Sequence, residues 1–269
     1  RASASLRRTV LLLALVLAGC AGTVQTTHKQ EGFGREDLAR DRLAVGGVVL
    51  AARLAADPGA LPPQGVPSDD PLGQAEAWTP LLYGQLLARG EGITIWPWSS
   101  VRDACGDSLL AVALTATART GVLQPVQLAP LAAALAEVRY LAFARVDGDE
   151  VSLHEVGPGI VQNPQVRDNR DPHAATRAAT LKTRRKVTVT MELYDLAEGR
   201  SIWAATAERH QDELYDFSAG DSEGESRVVA EGEPVITAEG RSLPAPPFAK
   251  VLEDACGALA ERLLQKPEP

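Results

Sequence analysis

A β-hairpin in the second half of the chain is the feature that most limits the possible folds. In residues 185–196 apolar and polar side chains alternate, so that Val187, Val189 and Met191 share one face of a predicted strand. Glu198-Gly199 predicts a turn, and 201–208 is predicted to return as the second strand. A hairpin with one apolar face requires other elements to cover that face, so we expect the remaining chain to supply helices or further strands.

The other elements are predicted from hydrophobic periodicity and from the positions of glycine and proline. Their order is strand, helix, strand, helix, helix, hairpin, hairpin, helix. This order predicts an α/β fold with a mixed-direction sheet packed against helices. The predicted strands are 42–50, 92–98 and 139–146, the last joined to 150–156 by a turn at Asp147-Gly148, and the predicted helices are 75–89, 107–120, 128–136 and 248–264.

Three polar segments show no periodicity. Residues 20–40 are predicted to form a flexible tether. A tether of this length would reach at most ~70 Å when extended. Residues 157–180 and 210–247 are predicted to be long loops within a single α/β domain that covers 41–269.

The first residues have the pattern of a secretory signal peptide, 1–19. Arg7 and Arg8 precede an apolar run, 10–18, that is about half of the ~20 residues needed to span a membrane. The run ends in Leu17-Ala18-Gly19-Cys20, which resembles the lipobox of bacterial lipoproteins. The resemblance implies that Cys20 becomes the first mature residue and is acylated. Because Ala21 follows it, the resemblance also implies an outer-membrane location, facing the periplasm or the cell surface.

The charge of the chain argues against nucleic acid as a partner. The formal net charge is −8 at pH 7, and removal of a leader that contains three arginines and no acid leaves −11. No second apolar run of spanning length follows, so the predicted membrane attachment is the lipid alone.

Two cysteines remain once Cys20 is assigned to acylation. In an oxidising compartment Cys105 and Cys256 can form a disulfide, which would stabilise the fold by ~4–5 kcal/mol in the chain-entropy model. The alternative is that both thiols pack as small apolar side chains. The sequence leaves these two alternatives open.

The sequence contains no familiar metal-binding motif. The patterns HExxH and CxxC are absent, and the four histidines lack metal-ligand spacing on a helix. The run Gly220-Asp221-Ser222-Glu223-Gly224 matches GxSxG, but it falls in the predicted loop 210–247, without the strand and helix that flank a nucleophilic serine. We therefore predict no catalytic residue, no metal and no cofactor. Ser99-Ser100 is predicted to be a turn or a helix cap, and Asp168, Asp171 and His173 are predicted to belong to a solvated loop.

Two groups of residues are candidates for a partner interface. Trp96 and Trp98 flank a proline near a strand end, where exposed indoles would act as anchors; the alternative is that Trp96 belongs to the core and Trp98 caps it. The basic run Arg184, Arg185 and Lys186 would suit an anionic partner. Its alternative is an edge strand that uses charge to prevent pairing with other chains.

Three segments carry a wider resemblance: 43–50, 140–146 with its hairpin, and 187–203, which contains Tyr194-Asp195, Gly199 and Trp203. They resemble curli-secretion-type and penicillin-binding-protein-activator-type outer-membrane lipoproteins and the N-terminal domain of the Tol-system propeller protein. The resemblance covers about 43–264, and the segments 157–180 and 210–247 depart from it. It implies a non-enzymatic envelope role, either docking of a partner protein or assembly.

The sequence thus predicts a non-catalytic, lipid-anchored envelope protein that binds a partner protein. One alternative is an oligomeric secretion or scaffold component built from copies of this chain. The other is a periplasmic hydrolase that uses Ser99 or the loop containing Asp168 and His173.

Overall fold

The computed structural model describes residues 22–55, 69–160, 177–217, 234–236 and 242–265. The chain divides into two compact units. Unit one comprises Arg1–Asp149, Val187–His210 and Ala249–Pro269, and unit two comprises Glu150–Lys186 and Gln211–Phe248. The single domain predicted over 41–269 stays a prediction.

The described residues form strands and helices that alternate through the first half of the chain. Three long strands then follow one another. The strands are β1 (Val24–Lys29), β2 (Leu43–Leu50), β3 (Ile95–Trp96), β4 (Tyr140–Ile160), β5 (Arg177–Asp195), β6 (Arg200–Phe217), β7 (Pro234–Ile236) and β8 (Ser242–Pro244). The helices are α1 (Arg35–Arg40), α2 (Ala52–Ala55), α3 (Pro71–Arg89), α4 (Trp98–Thr120), α5 (Pro125–Ala134) and α6 (Phe248–Leu264).

Six of the strands form one mixed sheet in the order β1-β6-β5-β4-β2-β3. Strand β2 runs parallel to β3 and β4, whereas β1 runs antiparallel to β6. β5 and β6 are joined by a short turn in which Gly199 has a φ of 63°. Strands β7 and β8 pair antiparallel in a second, two-stranded sheet. The predicted α/β class with a mixed sheet and packed helices is confirmed.

Strand β2 lies at the centre of the packing in unit one. All eight of its residues are buried, as expected for a strand covered on both faces, and α3 and α4 both contact it. Gly46 permits a close approach, because a Cβ there would lie 2.5 Å from the ring of Phe143. The glycine that weakens a strand by itself is thus required by the aromatic ring packed on it.

Helix α3 covers the edge of β2 that β3 leaves open. Strand β3 pairs only with Leu43 and Ala44. Beyond it, Val48 N donates to Thr79 Oγ1 at 3.1 Å and Leu50 N donates to Gln74 Oε1 at 2.9 Å. Both acceptor side chains are buried, so α3 satisfies buried backbone donors that no strand reaches.

The sequence locates one helix closely and the others with larger differences. The predicted helix 248–264 coincides with α6, whose buried residues include Phe248, Val251, Leu252, Ala255, Leu259 and Leu263. Helix α3 begins four residues before the predicted start, where the Asp70 side chain accepts from Gly73 N at 3.0 Å. Helix α4 begins at Trp98, with a kink at Gly106, instead of at 107. Among the helices described, none has the length and apolar character needed to cross a membrane.

The predicted flexible tether is wrong for the described part of 20–40. Strand β1 pairs with β6 from Val24↔Ala207 to Lys29↔Trp203, and α1 buries Leu38 completely. The segment shows no clear period because most side chains of this edge strand are exposed and α1 has only six residues. Cys20 lies outside the described residues.

The predicted turn at Asp147-Gly148 is also wrong. β4 is one strand through these residues, and Gly148 is not among the glycines with positive φ that a two-residue hairpin turn requires. A Cβ on Gly148 would contact Thr188 of β5. Strand β4 therefore pairs with a strand that begins far along the chain.

The predicted loops 157–180 and 210–247 contain strand at their ends. β4 continues to Ile160, β5 begins at Arg177 and β6 continues to Phe217. Strands β7 and β8 also fall inside the second predicted loop. Residues 161–176 and 218–233 lie outside the described residues.

Replacing Thr79 with valine tests whether its hydroxyl is needed as the acceptor for the β2 backbone. Valine has nearly the same shape but no acceptor, so Val48 N would be buried without a partner. We expect Thr79→Val to lower the free energy of unfolding by about 1–3 kcal/mol, measured by urea denaturation. The matched control is Thr115→Val on α4, with an expected change within about 0.5 kcal/mol. Equal losses in the two variants would contradict a specific role for the Thr79 hydroxyl.

Candidate binding cleft

A cleft in unit one lies between β1, the turn that follows it and the C-terminal end of α6. Its volume is 660 Å³. Lys29 and Arg262 contribute positive charge to its lining, and Glu31 and Glu36 contribute negative charge. All four of these side chains belong to exposed residues, so the charges are at the rim.

Two arginines fix the elements that form the cleft. Arg262 Nε donates to Thr26 Oγ1 at 2.9 Å, which joins α6 to β1. Arg35 on α1 donates to Glu91 O at 2.6 Å and to Leu264 O at 3.4 Å. A guanidinium at the last carbonyls of a helix is favoured by hydrogen bonding and by the helix dipole.

The floor of the cleft is aromatic and well packed. Phe33 and Trp203 line it and are only 8% and 2% exposed. The Phe33 ring meets Tyr140 edge to face, with centroids 5.7 Å apart. Gln30 N donates to Ile202 O at 2.8 Å and holds the turn onto β6. The cleft therefore has a rigid apolar floor beneath a rim of both charges.

A buried carboxylate holds the sheet together beside this floor. The Asp195 side chain, 3% exposed, accepts from Arg139 Nε at 3.0 Å and from the backbone N–H groups of Ala197 and Glu198 at 2.9 and 3.1 Å. Arg139 also pairs with Asp41 at 3.2 Å. These bonds anchor the β5–β6 turn to the start of β4.

The sequence pattern around Tyr194 thus has a structural explanation. The Tyr194 hydroxyl accepts from Leu123 N at 2.8 Å, and burial raises the pKa of Tyr194 well above its ordinary value. Asp195 caps the turn, Gly199 forms it, and Trp203 is buried on β6. These residues stabilise the hairpin that borders the cleft.

Strand β1 leaves an edge of the sheet open beside the cleft. Among the described strands, β1 pairs only with β6, so its other side faces no strand. The register shifts between Thr26 and His28. An open edge next to a cleft is the geometry in which an extended peptide can add to a sheet.

The two indoles that were candidates for an exposed interface, Trp96 and Trp98, pack in or against the core. Trp98 is 8% exposed and is part of the cluster formed by α4, α5 and the sheet. Trp96 is half-buried and packs against the same cluster. The predicted exposed interface is wrong here, and the alternative has the two roles reversed, because Trp98 is in the core and Trp96 packs against it.

The basic run of β5 is paired within unit two. Arg184 holds Asp212 through two bonds of 2.6 and 2.9 Å, and Lys182 adds a third at 3.1 Å. Arg185 is buried and lies 5.3 Å from the Phe248 ring centroid. Lys186 pairs with Glu150 at 3.1 Å.

These contacts correct both interpretations of the run. Its cations, including the buried Arg185, are engaged inside the unit instead of forming an interface for an anionic partner. The edge-strand alternative is wrong as well, because β5 lies between β4 and β6. The cluster of cations in this part of the sequence therefore reflects contacts made inside unit two.

Both remaining cysteines are free thiols in the structure. Cys105 is half-buried on α4 and Cys256 is fully buried on α6. Burial raises the pKa of Cys105 to about 11 and that of Cys256 to about 12. Of the two alternatives that the sequence leaves open, the structure has the free thiols, and Cys256 packs as a small apolar residue.

Of the residues considered for catalysis, the described ranges contain Ser99 and its neighbour Ser100. Ser99 is exposed on the first turn of α4, while Asp168, Asp171 and His173 lie outside the described residues. Within the described ranges, no group of three or more His, Cys, Asp or Glu side chains is placed to hold a metal ion.

The cleft is not predicted by the sequence, because the residues of β1 and α1 fall in the predicted tether. The available signals were Phe33 and Leu38, two large apolar residues in an otherwise polar segment. Both are buried in the structure.

Solved structures that are weakly similar to this chain include two of the protein PelC. The PelC dodecamer from Paraburkholderia phytofirmans has 13% identity and a TM-score of 0.36, covering 92% of this chain and all of the other. A point variant of the same PelC has 12% identity and a TM-score of 0.35, covering 91% of this chain and all of the other. Similarity at this level establishes neither a common fold nor a common function. No family model and no curated protein match the chain.

The cluster around Asp212 makes the stability of the protein depend on pH. Hydrogen bonds from Arg184 and Lys182 lower the pKa of Asp212 to about 2. Because this is below the ordinary pKa of about 3.9, the ionised carboxylate stabilises the folded state above about pH 4, and this contribution is lost as the pH falls towards 2.

Asp212→Asn should therefore be less stable than the unmodified protein at pH 7, by about 1 kcal/mol, and equally stable near pH 2. Urea denaturation at several pH values measures this difference. Glu261→Gln, on an exposed position of α6, is the control and should show a small difference at every pH. A difference for Asp212→Asn that does not change with pH would contradict the prediction.

Proposed function

We propose that this protein is a non-catalytic lipoprotein of the bacterial envelope that is anchored through Cys20 and binds a partner protein at the β1 cleft. The anchor is supported by the sequence: Arg7-Arg8, the apolar run 10–18 and the lipobox-like Leu17-Ala18-Gly19-Cys20. More than one acyl chain on Cys20 would give stable attachment to the outer membrane.

The observation that carries the binding role is a difference between the two edges of the sheet: one has partners for its backbone groups and the other pairs with no described strand. On one side, Thr79 and Gln74 satisfy the backbone of β2 where β3 ends. On the other side, β1 faces no described strand and borders the cleft. An unpaired edge attracts other strands and is normally protected. An open edge beside a cleft favours a partner that adds an extended segment.

The composition of the cleft indicates which partner segment would fit. Phe33 and Trp203 close the floor but are almost fully buried, so the accessible part of the cleft is its rim. Lys29 and Arg262 offer positive charge there, and Glu31 and Glu36 offer negative charge. A polypeptide segment with mixed charge matches this rim.

Site-specific photo-crosslinking in a Gram-negative host tests this function. The full chain carries a photo-crosslinking amino acid in place of Lys29 and, as control, in place of the exposed Glu137. We expect a discrete adduct with an envelope protein from position 29 only. Arg262→Glu should reduce its yield several-fold, because it reverses the charge at the rim.

The same experiment with Cys20→Ala tests the anchor. Intact mass should show acyl groups on the unmodified protein and none on the variant, and the adduct should be lost with the anchor. A protein that is never acylated would contradict the proposed location. Equal adducts from positions 29 and 137 would contradict the proposed cleft.

A second candidate function is assembly with further copies of this chain. The observation that favours it is a groove of 460 Å³ on α4 and α5, lined by small side chains such as Ala111 and Ala116. Two valines on these helices are unusually exposed, Val112 at 58% and Val126 at 79%. Exposed apolar groups of this kind are removed from water when two surfaces associate.

Sedimentation of the full chain in detergent distinguishes the second candidate. If copies associate through this groove, Val112→Asp should shift the protein to a smaller species, because burying an unpaired carboxylate is costly. Leu87→Asp, at another exposed position on α3, should leave the size unchanged. A monomeric unmodified protein at all concentrations would make this candidate wrong.

A further inference from the structure

The chain is bound to the sheet almost immediately after Cys20. The carbonyl oxygen of Thr23 accepts from Glu208 N at 2.9 Å and from Arg209 Nη1 at 3.4 Å. Strand pairing begins at the next residue, Val24↔Ala207. The contact with β6 is therefore made before β1 itself starts.

Gly22 extends this contact by one residue. A Cβ at position 22 would overlap the carbonyl oxygen of Glu208 and lie 2.7 Å from Arg209 Cδ. The backbone of residue 22 therefore lies directly on β6, in a space that only glycine fits. This leaves Ala21 as the one residue between Cys20 and a position fixed on the sheet.

The length of this connection determines how far unit one can move from an anchored Cys20. Two residues of extended chain span at most ~7 Å, compared with ~70 Å for the 20-residue tether that the composition suggested. An acylated cysteine lies at the bilayer surface, because its acyl chains are in the membrane.

We propose that the start of β1 is held at the surface of the bilayer by a connection of two peptide units, so that this end of the open sheet edge lies beside the lipid headgroups. This inference rests on the proposed acylation of Cys20.

Energy transfer between unit one and labelled lipid tests the proposal. The donor dye is placed at Gln25→Cys, an exposed position on β1, in a Cys105→Ser background, since Cys256 is fully buried. Its Cα is at most about 17 Å from that of Cys20. The acylated protein is incorporated into phosphatidylethanolamine and phosphatidylglycerol vesicles that carry a headgroup-linked acceptor.

A flexible insertion measures the contribution of the short connection. Twenty Gly/Ser residues are inserted between Ala21 and Gly22, which adds a mean reach of about 25 Å. As a matched control, the same twenty residues are appended after Pro269. Intact mass establishes the acylation of each protein, and circular dichroism establishes that each is folded.

The proposal expects strong energy transfer in the starting protein and in the control, and a decrease of about twofold or more in the insertion variant, since transfer falls steeply with the added reach. Equal transfer in the acylated starting protein and the acylated insertion variant overturns the short connection and leaves the proposed function in place. A protein without acyl groups overturns the proposed function, and the inference with it.

Discussion

Strand β2 depends on hydrogen bonds from two directions, and the rest of unit one depends on β2. All eight of its residues are buried, so each backbone N–H and C=O needs a partner inside the protein. Strand β4 provides partners along one edge and β3 along the first two residues of the other. Thr79 and Gln74 complete the second edge. Helix α3 is therefore part of the hydrogen bonding of the sheet as well as its cover.

Other polar side chains have the same role of joining distant segments. Asp195 connects the β5–β6 turn to Arg139 at the start of β4, and Tyr194 connects β5 to the segment between α4 and α5. In unit two, Asp212 joins β6 to the cations of β5. The two carboxylates each accept from several donors and the Tyr194 hydroxyl accepts from Leu123 N, so removing any of them leaves charged or polar groups without a partner. Such contacts specify which strands are neighbours.

The open edge at β1 gives the two proposals a common physical basis. The outer edge of β1 pairs with no described strand, and the cleft beside it is lined by side chains of both charges. The contact of Gly22 and Thr23 with β6 fixes the start of the same strand two residues from Cys20, the proposed site of acylation. Anchoring and binding would then involve the same strand of unit one.

By itself, the sequence determined the elements whose signal is local. Each of these signals lies within about twenty consecutive residues. A helical period predicts α6, an apolar run predicts β2, and alternation with a turn predicts the β5–β6 hairpin. The mixed α/β class follows from the order of these elements. Only the tertiary structure decided that 24–40 joins the fold, that β4 passes through Asp147-Gly148, and that Arg185 and Cys256 are buried. The physical reason is that edge pairing, strand partners and burial are set by contacts between residues far apart in the chain, which no local period records.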